Sequence, residues 1–240
     1  MTYGGLGDSF YEYLLKQYIL TGKTDSLVKD MYFEAVEGLI NRLLLKSQPS
    51  GLYFIAEYRA TLKKNNNFMD HLVCFVPGML ALGAPEGEHR EKHMKLAEEL
   101  VNTCYEMYKR QATGIGPERV SFNTEEDSKE DFKPSSTRYL LRPETVESLF
   151  VLYRATGNTT YQDWAWEIFR SIEQYCKTPS SFSGLVDVTK KDGPWNNSMQ
   201  SFFFAETLKY LYLIFSDDSL LPLDEYVLTT EAHPLGVFSS

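Results

Sequence analysis

Carboxylates interrupt four separated aromatic and apolar segments of the chain. They read Gly-Asp-Ser-Phe-Tyr-Glu-Tyr-Leu (Gly7 to Leu14), Leu-Arg-Pro-Glu-Thr-Val-Glu-Ser (Leu141 to Ser148), Ser-Phe-Phe-Phe-Ala-Glu-Thr-Leu-Lys-Tyr (Ser201 to Tyr210) and Thr-Thr-Glu-Ala-His-Pro (Thr229 to Pro234). An acid inside an otherwise buried stretch is costly unless it is paired, hydrogen-bonded or bound to a cation. Several such acids in one chain point to a shared acidic site. Two chemistries suit it: glycoside hydrolysis, which works with paired carboxyl groups, and calcium binding, which takes oxygen ligands.

Each acid also has a plainer reading. Glu144 and Glu147 are three residues apart at the start of a helix, so they share a face, and they would complement the helix dipole there. Arg142 beside them would hold a carboxylate or a hydroxyl. Glu206 follows Phe202-Phe203-Phe204-Ala205 on an apolar helix and needs a partner: a cation, a sugar hydroxyl, or a base such as Lys209. Asp8 resembles a helix N-cap, with Glu12 on the same helix. His71 is either a capping histidine or a pocket donor, and His233 before Pro234 lies in a turn. Thr229-Thr230-Glu231 follows a strand-like Tyr226 to Leu228, and a threonine offers a hard cation both its hydroxyl and its carbonyl oxygen. There is no aspartate-rich calcium loop, so a calcium site would be assembled from distant segments.

The elements that must position these groups are mainly helical. Phe10, Leu14, Tyr18 and Leu20 fall on one face of a first helix. Ser26 is placed to cap a second, running to about Leu45, with Val28, Met31, Tyr32, Ala35, Val36, Leu39, Ile40 and Leu43 as its apolar stripe. Leu52 to Glu57 is short and β-like. Helices follow at Asp70 to Leu82 and Glu91 to Lys109. Pro143 suits the first residue of a helix running to Thr156, which Gly157 ends. Thr160 to Lys177 and Met199 to Phe215 complete about seven helices. Gly114 to Thr137 reads as a long polar connection. Helix pairs joined by alternately short and long connections suggest an α/α-toroid or a helical solenoid, and the lack of a repeated motif weighs against the solenoid. No linker-like stretch divides the chain, so residues 1–240 are read as a single domain.

Composition limits the partners. The 240 residues are 43% hydrophobic and 14% aromatic, enough for a sizeable core. Aromatic rings also line sugar sites, where an apolar face meets the C–H face of a sugar. The net charge of −9 argues against nucleic acid, which needs a basic face, and against an anionic membrane surface. No stretch reaches the roughly 20 apolar residues of a membrane span, and Met1 to Gly7 carries no signal pattern. Taken literally, that places the chain in the cytosol. Cys74, Cys104 and Cys176 show no zinc spacing. Cys74 and Cys104 could bridge neighbouring helices, although the residues alone favour free buried thiols. Asn158-Thr-Thr and Asn196-Asn-Ser match the N-glycosylation acceptor pattern.

With these residues in view, the chain closely resembles the class I α-1,2-mannosidases, glycoside hydrolase family 47. The match runs from Gly4-Gly5-Leu6-Gly7-Asp8-Ser9, through Met69-Asp70-His71-Leu72-Val73-Cys74-Phe75, Gly116-Pro117-Glu118 and Tyr161-Gln162-Asp163-Trp164, to Thr230-Glu231-Ala232-His233-Pro234. The resemblance implies an all-α (α/α)7 barrel with calcium at its base. It also implies inverting hydrolysis of terminal α-1,2-linked mannose from high-mannose N-glycans in the endoplasmic reticulum or Golgi lumen. By the same match, Glu144 is the base that activates water, and Asp8 is a second catalytic carboxylate acting directly or through a water. Thr230 is the direct calcium ligand. Glu118, Glu147, Glu206 and Glu231 hold calcium-bound water or sugar hydroxyls. Arg142, His71 and Phe202 line the pocket, with Phe202 stacking on the mannose ring. Cys74 and Cys104 match the family's disulfide pair, against the free-thiol reading above, and Cys176 is left over.

Two departures stand out. Leu6 occupies a position where the reticulum enzymes of the family carry a glycan-contacting arginine, so it resembles the Golgi type. The chain also resembles only the C-terminal half of the family's catalytic domain, and the other half carries the usual proton donor. Two expectations follow: a partial catalytic domain that is inactive alone, or a non-catalytic member that binds mannose glycans in glycoprotein quality control.

Overall fold

The computed structural model describes residues 1–84 and 88–238. Helix α1 (Asp8–Leu20) packs against α2 (Ser26–Arg42). The cap of α2 is Asp25 rather than Ser26. Its carboxylate accepts from the backbone N–H of Leu27 at 3.1 Å and of Val28 at 3.3 Å, which satisfies two donors that a first turn leaves open. The helix stops at Arg42, short of Leu45, because β1 (Leu44–Lys46) pairs antiparallel with β2 (Tyr53–Ile55). The expected stripe of α2 is buried at Tyr32, Val36, Leu39 and Leu43, while Met31 is exposed. On α1 the buried set is Glu12, Leu14, Leu15, Lys16 and Ile19, and Phe10 points to solvent. This helix therefore buries an acid and a base among its apolar residues.

After the hairpin of β3 (Glu57–Arg59) and β4 (Lys64–Asn66), the chain departs from the helix expected at Asp70 to Leu82. Strand β5 (Phe68–Asp70) pairs with β6 (Arg119–Phe122), which pairs with β7 (Phe132–Ser136). A 3₁₀ turn, His71–Phe75, then leads into α3 (Val76–Leu82). Pro77 lacks an N–H and belongs in a first turn, so α3 begins beside it. The connection read as polar from Gly114 to Thr137 thus contains two strands. Val120, Phe122 and Phe132 are buried, and the charges sit in the loop between the strands.

The remaining helices are α4 (Glu88–Lys109), α5 (Glu144–Thr156), α6 (Thr160–Cys176) and α7 (Lys209–Leu213). Gly157 ends α5 in the left-handed conformation, φ 67°, which costs glycine little. The segment before α7, Phe203–Leu208, is a π-helical turn, so the long α-helix expected from Met199 to Phe215 is shorter and differently wound. A final hairpin joins β8 (Tyr226–Leu228) to β9 (Pro234–Gly236). Cys74 and Cys104 form a disulfide that ties the 3₁₀ turn to α4, while Cys176 is a buried free thiol. One continuous core runs through the described residues. Helix α5 lies at its centre, packed on α3, α4, α6, α7 and the 3₁₀ turn. Its N-terminus carries Glu144 and Glu147.

Candidate active site

Three elements bring their acids to one place, and a fourth adds a threonine. Asp8, Ser9 and Glu12 of α1, Arg142, Pro143, Glu144 and Glu147 at the start of α5, Phe202 and Glu206 at the π-helical turn, and Thr230 after β8 line an open cavity of about 240 Å³. Leu72 and Phe75 of the 3₁₀ turn close one wall. Asp8 is the first residue of α1; its Oδ1 accepts from the Ser9 backbone N–H at 3.0 Å, and the side chain lines the cavity.

Glu144 is gripped from behind. His71 Nδ1 lies 2.7 Å from its Oε2, and Arg142 Nη1 lies 4.0 Å from its Oε1. Burial pushes the Glu144 carboxyl up, but the His71 hydrogen bond and charge, with Arg142, outweigh it and hold the group below its ordinary value. An ionised carboxylate only accepts hydrogen bonds, so Nδ1 carries the hydrogen. The other ring nitrogen of His71 meets the Tyr108 hydroxyl at 2.6 Å. Burial keeps that phenol protonated. His71 is fully buried behind Glu144, inside the 3₁₀ turn and outside the cavity lining. Gly116 makes this arrangement fit, since a Cβ there would stand 2.6 Å from the Tyr108 ring.

Arg142 is itself anchored. Its Nε donates to both Glu118 oxygens at 2.9 Å, and its guanidinium lies 5.8 Å from the centroid of the Phe202 ring. The Glu118 carbonyl accepts from the His71 backbone N–H at 2.9 Å, so the arginine and histidine supports of Glu144 share one strand end. Asp70 caps no helix; its carboxylate is paired with Arg119 across β5 and β6.

The floor of the cavity is different. Glu12 pairs with Lys16, whose Nζ is 3.8 Å from Glu147 Oε1, and the Tyr210 hydroxyl donates to that same oxygen at 3.3 Å. Burial and the nearby Glu12 push Glu147 well above its ordinary range, with Lys16 pulling the other way. Burial, then Glu144, Glu231 and Glu12, raise Glu206 to about 7. Lys209 does not pair with Glu206; its Nζ donates to the Ala232 carbonyl at 2.7 Å. The acids on this floor outnumber Lys16.

Thr230 completes the floor. In its turn the Thr229 hydroxyl accepts from the N–H groups of Glu231 at 3.2 Å and His233 at 3.1 Å. Among the described residues, no protein group takes the hydroxyl or carbonyl of Thr230, which faces the same cavity. The threonine pair is thus divided: one residue builds the turn and the other keeps two oxygens free. A hard cation accepts neutral oxygens of this kind alongside carboxylates, and the crowded acids call for one. The residues fit a calcium ion, although among the described residues no cluster of three or more His, Cys, Asp or Glu side chains forms a ready-made metal site.

Three non-glycine residues with positive φ stand within two residues of the cavity lining: Leu6 at 75°, Leu141 at 64° and Ala232 at 56°. Such strain persists only where surroundings enforce it. Here the Leu141 carbonyl accepts from Thr207 and the Ala232 carbonyl from Lys209. Leu6, Glu118 and Glu231 lie outside the cavity lining; Leu6 and Glu231 are exposed. Sequence reasoning missed Lys16, Tyr108 and Tyr210. For Lys16 the signal was available, because Asp8, Glu12 and Lys16 are spaced four apart on one helix face. Tyr108 and Tyr210 sit among other apolar helical residues and carry no such mark.

Residues 1–237 match the description "Glycosyl hydrolase family 47". The chain is 48% identical over 236 residues to human mannosyl-oligosaccharide 1,2-alpha-mannosidase IC, covering 98% of this chain and 37% of that protein. It is also 48% identical to the human endoplasmic reticulum mannosyl-oligosaccharide 1,2-alpha-mannosidase, covering 99% of this chain and 34% of that one. It therefore spans little more than a third of these relatives. Its backbone superposes on an alpha-1,2-mannosidase from Trichoderma reesei with a TM-score of 0.91 at 32% identity, over 98% of this chain and 52% of the other. Its helices make up part of an (α/α)7 barrel, and the chain belongs to glycosyl hydrolase family 47.

Proposed function

We propose that this chain forms one side of the active site of an inverting, calcium-dependent glycosidase that removes terminal α-1,2-linked mannose from high-mannose N-glycans. The observation that carries the reading is the pairing of Glu144 with His71 and Arg142 at the wall of an acid-rich cavity. An inverting enzyme needs one carboxylate to activate water and a second carboxyl group to protonate the leaving oxygen. Glu144 is ionised at neutral pH and takes the proton of the attacking water. Asp8, on the same cavity, acts as a second carboxylate, directly or through a water. The Phe202 ring offers a face for the mannose ring, and Arg142 holds it there. Glu118 fixes Arg142, and Glu147, Glu206 and Glu231 bind sugar hydroxyls or metal-bound water. Leu6, exposed beside Asp8, bears on which glycan branch is accepted.

Thr230 would hold a calcium ion through its hydroxyl and carbonyl, with the floor carboxylates around it. The ion supplies positive charge that lets those carboxylates ionise together. Residues 1–240 are read as a single partial catalytic domain of C-terminal type, whose proton donor comes from the remainder of the same barrel. The 52% coverage of the related structure supports that partner. The Cys74–Cys104 disulfide supports the oxidising lumen of the secretory pathway. No helix among the described residues is long and apolar enough to cross a membrane.

The test is release of free mannose from a high-mannose glycan, by the chain alone and after adding the family's N-terminal half. The reading expects calcium-dependent release from the pair only. Glycan binding by the pair with no release would favour the non-catalytic alternative instead.

A further inference from the structure

We propose that Asn158 is an N-glycan attachment site and that Asn196 is not, although both head the same acceptor pattern. The inference rests on the lumenal reading above. Asn158-Thr159-Thr160 occupies the exposed turn between α5 and α6. The Asn158 Oδ1 accepts from the Thr160 backbone N–H at 3.0 Å, and its own backbone N–H is held by the Thr156 hydroxyl at 3.2 Å. The turn thus fixes the oxygen side of the amide. Among the described residues nothing accepts from its Nδ2, the atom a glycan would occupy. The site also lies at the far end of α5 from Glu144. At 1.5 Å per residue the helix separates them by about 18 Å. A bulky, hydrated glycan there stays in solvent and leaves the cavity open.

Asn196 is built in. Its Oδ1 accepts from the Ser183 hydroxyl at 3.2 Å and from the Ser198 N–H at 3.0 Å. Its backbone N–H donates to Gly184, and the Gly184 N–H donates to Ser198, each at 3.0 Å. The Asn196 Nδ2 lies so close to Gly184 that a Cβ there would stand 2.6 Å from it. A sugar on that nitrogen would run into the Gly184 backbone and prevent these pairings.

In the reaction, the Asn158 Nδ2 bonds to the anomeric carbon of a polyprenyl-pyrophosphate-linked oligosaccharide. The bond from that carbon to the phosphate oxygen breaks, and the polyprenyl pyrophosphate leaves with its electron pair. One amide proton passes to a base of the transferase. No oxidation or reduction occurs.

The experiment expresses the full chain behind a cleavable secretory signal in a eukaryotic host, so that lumenal entry does not depend on its natural address. The purified protein is deglycosylated with an amidase in ¹⁸O-water, and both peptides are read by mass spectrometry. Labelled aspartate at 158 and unmodified asparagine at 196 is the expected result. Asn158→Gln and Thr160→Ala should each abolish the glycan, and Asn196→Gln should not. The Thr160→Ala variant keeps the Asn158 side chain, so it serves if Asn158→Gln fails to fold. Absence of label at 158, or label at 196, overturns the proposal. The lumenal reading is tested separately, by alkylating Cys74 and Cys104 in the protein isolated from its native source; reduced thiols there would count against that reading alone.

Discussion

Glu144 and Glu147 stand one turn apart on the same helix, and their surroundings drive them in opposite directions. Glu144 backs onto His71 and Arg142 and is held below its ordinary value. Glu147 faces Glu12 across a single lysine and is pushed well above. Both are screened from solvent, so burial alone does not separate them. The difference lies in supply of positive charge: the wall has its own cations, and the floor has too few. A base that must be ionised before substrate arrives needs the first environment. Acids that gather around an incoming cation tolerate the second.

The comparison breaks most completely at Glu144. In a completed barrel, Glu144→Gln should lower the rate of mannose release by about 10²- to 10⁴-fold, the range for losing a general base. Its thermal melt should stay near that of the parent, which separates loss of chemistry from loss of fold. Next comes Lys16. Lys16→Met leaves Glu12 and Glu147 buried without their partner and should destabilise the metal-free protein by about 3–5 kcal/mol in urea melts. Calcium should restore part of that loss; no rescue would mean the floor does not receive the cation.

Thr230→Ala should weaken calcium binding at least about tenfold by calorimetry, since two of the free oxygens are carried by this residue and one is removed. Thr229→Ala should act on the turn instead, lowering stability more than affinity. The smallest effect concerns pH. The Glu206 carboxyl is raised to about 7 in the folded state. Its stabilising contribution is therefore fully present below its unfolded value of about 4.3 and is lost as pH rises through about 7. Metal-free protein should lose stability over that window, and Glu206→Gln should flatten the loss. Glu144 has the opposite sign: its contribution is present above the unfolded value and fades as pH falls. Melting curves across pH, with and without calcium, read both.

Much of this was legible in the sequence, and the reasons are local. Periodicity marked α2, α4, α5 and α6 because each buries one clear stripe, and Gly157 announced its own left-handed cap. The acids of the cavity were legible because charge inside apolar runs is conspicuous. The strands around Asp70 and Arg119 were not, since each is short and its pairing partner lies about fifty residues away. The π-helical turn at Phe203–Leu208 reads locally like any apolar helix. His71 could be read as a cap or as a pocket donor, because only the fold brings Tyr108 and Glu144 to its two nitrogens. Lys16 was overlooked because a lysine after an acid on a helix normally faces solvent; here α1 is buried on that side.

The most direct test is mannose release by this chain joined with the family's N-terminal half, measured for the parent and for Glu144→Gln with calcium and then with chelator. Calcium-dependent release by the parent, lost in Glu144→Gln, is what the account predicts. Release by the isolated chain, or release that survives Glu144→Gln, would contradict it.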